Sequence, residues 1–507
     1  MSSKGEYITS EEMAALDENC AFYGLLPLQL MENAGANVAR EISKRFEPKK
    51  RVNVTILAGK GNNGGDAFAA ARHLYGFDVN ILLVGRAKDL KTDEARSNWH
   101  ILKERGYNLE ELVDSSELKA RSALITDAEI IVDAIFGTGV KGRIREPEAT
   151  AIDLINEARA HAFVVSVDVP SGLDPDTGKA EKAVKAHLTV TFHKAKVGLI
   201  NAEDYVGGLV VAPIGIPEGM ERLAGPGDVR TVIKRKPSSH KGDNGRVLIV
   251  GGGPFFGAPT LTALASLHAG ADWVTIAAPQ RVSSIISSFS PNLIVQPLSS
   301  EILVEKDVPV VSNLITKHDV VVIGMGLGAE AETRTATRMI VEDDATRKVV
   351  VDADGFYGLH LPLEKDAKQV IVTPHAGEIS KMVLGEGAGV PVPLETDMEE
   401  RIAFVKEFSK RNRVVTLLKG PTDIISEGTR IKINRTGNAG MTVGGTGDVL
   451  VGITGAFFAI TDDPFKAATA AAFVNGAAGD LAFEEKGYGL LATDVIGYIP
   501  KIMKDLK

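Results

Sequence analysis

The sequence predicts two successive α/β domains, on three observations. Short apolar runs recur along the chain, helical patterns alternate with them, and Gly-rich or polar loops stand at the ends of several runs. Strands that want burial on both faces, with helices between them, imply parallel sheets whose ligands sit at the carboxyl ends of the strands. At 507 residues the chain is also too long for one ordinary core.

The elements can be justified in order. A helical region opens the chain: Thr9 and Glu12 have capping-box spacing, and Met13, Leu16, Leu28, Leu30 and Met31 supply apolar faces. Strand-like runs follow at 52–58, 79–84, 130–136 and 163–169, with a helical pattern at 67–75. The segment PIGIPEGMERLAGPG at 213–227 breaks the alternation and reads as a connection, placing the domains at 1–225 and 226–507. The second series has strands at 247–250, 274–277, 320–323, 349–351, 370–373 and 414–418. Its helices include 395–411, 447–460 and 464–483. The halves share architecture, with no alignable short repeat and no low-complexity tract.

Composition narrows the function. The chain is 44% hydrophobic and 24% charged, as ordinary globular proteins are. A net charge of −9 argues against general nucleic-acid binding, and the basic run at 230–241 reads as a solvated linker face. Cys20 is the sole cysteine, which excludes an intrachain disulfide and a cysteine metal cluster and fits a reducing cytoplasm. The first residues lack an apolar signal core, and the run GITGAFFAI stops at Thr461, short of membrane-spanning length. The expectation is a cytoplasmic protein without nucleic-acid or membrane partners.

In the first half, GKGNNGGD follows a strand directly and precedes a helix. That context suits phosphate, because several N–H groups there lack chain partners. It is no Walker loop, since Lys-Ser/Thr does not follow, and no dinucleotide fingerprint, since no acidic residue closes a second strand at the expected distance. Three more strand ends converge on the same face: DAIFGTGVKGR from Asp133, VSVDVPSGLD with Asp168 and Ser171, and TVTFHKAKVG with His193, Lys194 and Lys196. A carboxylate at a strand end also serves simply to cap the next turn. Three such ends beside one Gly-rich loop favour a site. The oxygen set Asn63, Asp133 and Ser171 suits a hard cation, with main-chain carbonyls completing its shell, and leaves Asp168 for acid–base work.

In the second half, GNAGMTVGGTGDVL packs a Gly-rich turn, an isolated carboxylate (Asp448) and the start of an apolar helix into one stretch. Glycines let N–H groups approach an anion, a helix N-terminus favours negative charge, and Asp448 there can accept a proton from a hydroxyl being phosphorylated. HKGDNGRVLIVGGG, GMGLG, DAD and TPHAGE end or flank other strands. His375, taken alone, reads as a helix-start histidine. The stretch from Lys419 to Asp423 is a strand–turn–strand pattern that could lie against a nucleotide or be a plain hairpin.

Taken in order, GKGNNGGD, DAIFGTG, VDVPSGLD, HKGDNG, DADG, TPHAGE and GGTGDVLVG resemble the bifunctional NAD(P)HX repair enzymes over nearly the whole chain. That family fuses an NAD(P)HX epimerase to an ADP-dependent NAD(P)HX dehydratase. The resemblance implies a Rossmann-like three-layer domain followed by a ribokinase-like α/β domain. It implies epimerase substrate contacts at Asn62, Asn63, Gly64, Gly65, Asp66, at Gly137, Thr138, Gly139, Val140, Lys141, Gly142, Arg143, and at Asp168. A potassium ion (K+) would be held by Asn63, Asp133 and Ser171. In the dehydratase half, Ala258, Gly328, His375 and Asp448 match positions that contact the hydrated dinucleotide. Lys419, Gly420, Pro421, Thr422, Asp423 and Gly447 match the adenine-nucleotide site, and the amides of Gly444, Gly445, Thr446 and Gly447 would stabilise the transferring phosphoryl. Magnesium (Mg2+) would bridge the nucleotide phosphates. ADP as phosphoryl donor, NADHX and NADPHX as substrates, and a homo-oligomeric state are further expectations. Three departures from the pattern, Met325 for proline, Ala439 in GNAGM and Ala67 for glycine, remove no charged group.

Two rivals stand beside this reading. GGTGD alone also fits a ribokinase-like vitamin or sugar kinase, here fused to a nucleotide-binding module. The first half could instead be a non-catalytic binding module, against which Asp133, Asp168 and the loops between them argue.

Overall fold

The computed structural model describes residues 7–47, 52–139, 142–362, 369–384 and 397–505. The chain divides into two compact units, Met1–Met220 and Glu221–Lys507.

The first unit is built on a seven-stranded, all-parallel sheet. Its spatial order is Asn108–Leu112, Asp78–Val84, Asn53–Ala58, Ile130–Ala134, Phe163–Val167, Leu188–Phe192 and Gly208–Ala212. Side-chain alternation splits the burial between two faces. Val54, Ile56 and Ala58 join a core with the helices Ser10–Phe22, Pro27–Ser43 and Asn62–His73. Leu57, Leu82 and Ile131 face the opposite way, against Ile152 and Ile155 of the helix Glu148–Ala158. Chain order reverses between Asn53–Ala58 and Ile130–Ala134, the switch point at which ligands bind such sheets. GKGNNGGD and the loop after Ala134 both open there.

The opening helix begins as expected, with Thr9 and Glu12 completing a capping box. Before it, Tyr7–Ile8 pairs in parallel with Ala195–Lys196 as a separate two-stranded ribbon. Ser10 N–H, at the first helical position, donates to Asp176 at 2.7 Å.

The second unit carries a nine-stranded sheet. In space it runs Ile294–Pro297, Trp273–Ala278, Arg246–Val250, Val320–Ile323, Lys348–Val351, Gln369–Val372 and Val415–Leu418 in parallel. An antiparallel pair, Asp423–Ser426 and Ile431–Asn434, completes it. Phe457 and Phe458 of the helix Thr446–Ile460 are fully buried in its core. Here too the order reverses beside the first strand, between Arg246–Val250 and Val320–Ile323. No helix among the described residues is long and apolar enough to cross a membrane.

Several boundaries differ from the sequence reading for physical reasons. The strand expected at 163–169 stops at Val167, because Asp168 takes a left-handed backbone (φ 63°). The helix expected from residue 67 starts at Asn62, so the Gly-rich motif forms its first turn instead of a free loop.

Candidate active sites

In the first unit the switch-point loops surround a cleft of about 1180 Å³. Asn62, Asn63, Asp66, Gly137, Thr138, Gly139, Gly142, Arg143 and Asp168 line it, whereas Val140 and Lys141 lie outside the described residues. Gly64 and Gly65 pack beneath the cleft. A Cβ on Gly64 would sit 2.0 Å from the Gly59 carbonyl oxygen, and one on Gly65 would strike the Met31 thioether.

Asp168 is held from several sides. Lys196 Nζ lies 2.5 Å from its Oδ1, and Thr191 Oγ1 donates to the same oxygen at 3.1 Å. Lys196 is only 1% exposed and also donates to the Phe192 carbonyl at 3.1 Å. This buried cation is therefore fixed on one carboxylate. The sequence reading placed Lys196 nearby without giving it this partner.

Asp133 is buried and accepts from Ser166 Oγ at 2.7 Å and Ser171 N–H at 2.9 Å. Burial pushes its carboxyl above the usual range, against the opposing pull of the Ser171 and Ser166 hydrogen bonds. Phe136 links this pair to the Gly-rich turn: its N–H donates to Ser171 Oγ, and its carbonyl accepts from Asn63 Nδ2, both at 2.9 Å. Asn63 Oδ1 is buried with no hydrogen-bond partner among the described residues. Phe136 thus joins Asn63, which carries an unpartnered buried oxygen, to the Asp133–Ser171 pair.

Asp17, Glu18, Lys60, Lys91, Arg145 and Glu148 complete the walls and were not foreseen. Burial, then the Asp168 charge, raises the Asp17 carboxyl to about 7, and burial followed by the same charge pushes Asp66 well above the carboxylate range. The signal for Asp17 was available: it stands one turn after Met13 on a helix whose partner face is apolar.

In the second unit, strand ends bring Lys419, Asp352, Glu378, His375 and Asp448 into one electrostatic cluster. Lys419 Nζ lies 2.8 Å from Asp352 Oδ1 and 3.8 Å from Glu378 Oε2. Thr373 Oγ1 donates to that Asp352 oxygen at 2.8 Å. Burial opposes the Lys419 charge, but Asp352, Glu378 and Asp448 outweigh it and hold the ammonium above the ordinary lysine range. A Cβ on Gly447 would lie 3.7 Å from Lys419 Nζ, so this cation sits at the N-terminus of the helix Thr446–Ile460.

That helix has Gly445 at its N-cap (φ 99°) and no side-chain cap, which leaves first-turn N–H groups open to an anion. Thr446 Oγ1 is turned back onto the Met441 carbonyl at 2.8 Å. Asp448 stands in this turn, and burial followed by the Asp352 charge raises it to about 7 while Lys419 pulls it down.

Ala258 is the second residue of the helix Gly257–His268, whose Leu261 packs where a Gly445 Cβ would go. Gly328 N–H donates to Asp354 at 2.9 Å. The His375 ring accepts from Gly377 N–H at 3.0 Å, and Lys419 N–H donates to the Pro374 carbonyl at 2.9 Å. Gly420, Pro421 and Thr422 form the turn of an antiparallel hairpin closed by Asp423, which accepts from Gly420 N–H at 3.1 Å. Burial lifts Asp423 to about 6 against the Asn434 hydrogen bond. Among the described residues no group of three or more His, Cys, Asp or Glu side chains is placed to hold a metal ion.

Comparison with known proteins bears on both units. Residues 247–501 match the family model described as NAD(P)H-hydrate dehydratase, and residues 27–198 match that of the YjeF-related protein N-terminus. A bifunctional NAD(P)H-hydrate repair enzyme of Archaeoglobus fulgidus is 47% identical over 98% of each chain, and one of Pyrobaculum aerophilum is 44% identical over 98% of each. A solved ADP/ATP-dependent NAD(P)H-hydrate dehydratase of Bacillus subtilis, co-crystallised with ATP and Mg2+, aligns at 25% identity and a TM-score of 0.47, covering 56% of this chain and 98% of its own. With both family models matched in order and the relatives aligned almost end to end, this chain belongs to the bifunctional NAD(P)H-hydrate repair enzymes.

Proposed function

We propose that residues 1–225 interconvert the (R) and (S) epimers of NADHX and NADPHX. Residues 226–507 then dehydrate the (S) epimer to NADH or NADPH at the expense of ADP, giving AMP and phosphate. The observation that carries the reading is Asp448, raised to about 7 in the uncapped first turn of the helix Thr446–Ile460.

Hydroxide is a poor leaving group, whereas phosphate is a good one. Asp448 takes the proton of the C6 hydroxyl as that oxygen attacks the β-phosphorus of ADP, and AMP departs. Open amides of the 444–447 turn and the Lys419 ammonium stabilise the charge that builds on the transferring group. Phosphate then leaves C6 with help from the ring nitrogen, and loss of a C5 proton restores the dihydronicotinamide. Ala258, Gly328 and His375 hold the hydrated dinucleotide, and the turn from Lys419 to Asp423 with Gly447 lies against the nucleotide. Mg2+ would enter with the nucleotide and would supply charge neutralisation.

In the epimerase cleft, Asn62–Asp66, the 137–143 loop and Asp168 contact the substrate, with Asp168 as an acid–base group. The orphaned Asn63 Oδ1 fits a potassium ion held by Asn63, Asp133 and Ser171.

The test is recovery of NADH absorbance from a mixture of both epimers with Mg2+, K+ and either ADP or ATP. Complete recovery with ADP is expected. Recovery that stalls once one epimer is consumed, apart from slow spontaneous exchange, removes the epimerase. No recovery with either nucleotide removes the dehydratase.

A further inference from the structure

The epimerase cleft contains an acid that none of the sequence motifs announced. Met13, Ala14, Asp17, Glu18 and Ala21, spaced as one helical face, form the wall contributed by the helix Ser10–Phe22. A carboxylate in such a stripe, beside buried Met13, Leu16 and Cys20, is costly to desolvate and contributes nothing to packing. Its placement is nonetheless fixed with care. The capping box and the Asp176 contact hold the helix start, and the two-stranded ribbon sets Ile8 in register with Lys196, the partner of Asp168. One local assembly therefore positions Asp17 and the Asp168–Lys196 pair.

The chemistry needs two proton carriers. Carbon C6 of the hydrate bears a hydroxyl and adjoins the ring nitrogen, so it can invert through its open-chain aldehyde. A base removes the hydroxyl proton as C6=O forms and the C6–N1 bond breaks. The electron pair stays on N1, and an acid gives N1 a proton. Rotation about C5–C6 presents the other carbonyl face; N1 adds to it, the first acid takes back its proton, and the first base returns the other. Atoms and electrons balance with no further reactant.

On the epimerase reading given above, we propose that Asp17 is a catalytic residue: the acid that serves the ring nitrogen while Asp168, paired to Lys196, serves the hydroxyl. Burial and the neighbouring Asp168 charge hold Asp17 near 7, so it carries a proton for about half the time at neutral pH. After burial, Asp168 and Glu18 raise Asp17 while Lys196 and His193 lower it; facing it, Cys20 and Asp66 are each raised by burial first and by the Asp17 charge among others.

The experiment follows exchange between purified (R)- and (S)-NADPHX by chromatography, with the spontaneous rate subtracted. Wild type, Asp17→Asn, Asp17→Glu and Asp66→Asn are compared from pH 5.5 to 8.5. Because the acid must be protonated, the wild-type rate should fall as pH rises through 7. Asp17→Asn should lose roughly 100-fold or more and lose that limb, while Asp17→Glu restores part of the rate with a pH limb. Melting curves confirm that the variants are folded. Asp17→Asn with the wild-type rate and profile overturns the assignment, as does loss of the limb in Asp66→Asn alone. A wild-type chain that does not interconvert the epimers overturns the epimerase reading and this inference with it.

Discussion

The dehydratase should switch on with the ionisation of Asp448, and the structure sets the size of the effect. The group must be a carboxylate to accept the hydroxyl proton, so activity is present above its pKa and lost below it. At a value of about 7 the ionised share falls from roughly nine-tenths at pH 8 to roughly one-tenth at pH 6, a loss of about tenfold in kcat/KM. Asp448→Asn should flatten that limb and lower the rate by about 10²–10⁴-fold. The same residue makes a second, opposite prediction for stability. An acid whose folded value lies above its unfolded value of 3.8 favours the fold while protonated, and that contribution is lost as pH rises from about 4 to 7. The full displacement caps the cost of ionising it in place at about 4 kcal/mol, and partial exposure of the side chain reduces the expectation to about 1–2 kcal/mol. Asp448→Asn should therefore melt higher than wild type at pH 8 and no higher at pH 4. The assay is initial NADH recovery from pure (S)-NADHX with saturating ADP, alongside thermal denaturation at both pH values. A variant that keeps the acid limb, or that gains no stability at pH 8, refutes the reasoning.

Other expectations follow from the same geometry. Lys419→Met removes the cation that lowers Asp448, so the acid limb of dehydration should move to higher pH, read from the same rate profile. Asp168→Asn keeps the left-handed backbone, which Asn tolerates, but strands Lys196. Epimer exchange should fall by about 10²–10⁴-fold, and stability by about 3 kcal/mol for the uncompensated buried charge, measured by denaturant titration. Gly64→Ala gains about 1 kcal/mol of helix propensity but drives its Cβ to 2.0 Å from a carbonyl oxygen, and a net loss of about 1–3 kcal/mol should appear in the melting curve. If Asn63 Oδ1 holds potassium, KCl should raise the melting temperature above that in choline chloride, and Asn63→Leu should abolish the difference.

The parts of the fold that could be read in the sequence were those buried on two sides. Val320–Ile323 is apolar throughout, and Ile130–Ala134 is apolar but for Asp133, because each has sheet neighbours and covering layers. Three edge strands escaped notice for the opposite reason. Asn108–Leu112 carries Glu110 and Glu111 in its middle, Gly208–Ala212 is largely exposed, and Ile294–Pro297 has no fully buried residue. Asn62, Asn63, Gly64 and Gly65 are poor helix formers, so the helix start was placed too late. Tertiary contacts override propensity there, with Gly64 against the Gly59 carbonyl and Gly65 against Met31. Motif density singled out Asp133, Asp168 and Ser171 at strand ends and Asp448 in a helix's first turn. It missed Asp17 because an acid on a helix ordinarily reads as a solvated face.

The ribbon between Tyr7–Ile8 and Ala195–Lys196 also has a consequence for how the protein is made. Its two halves are about 190 residues apart in the chain. At roughly 5–20 residues per second of translation, the opening strand waits about ten to forty seconds for its partner to be synthesised. Throughout that interval the helix behind it has Met13, Leu16 and Cys20 without their finished berth. A nascent chain arrested before residue 196 therefore presents this helix to chaperones and proteases, and the first unit becomes resistant to both once its last strand has emerged, while the second unit is still being made.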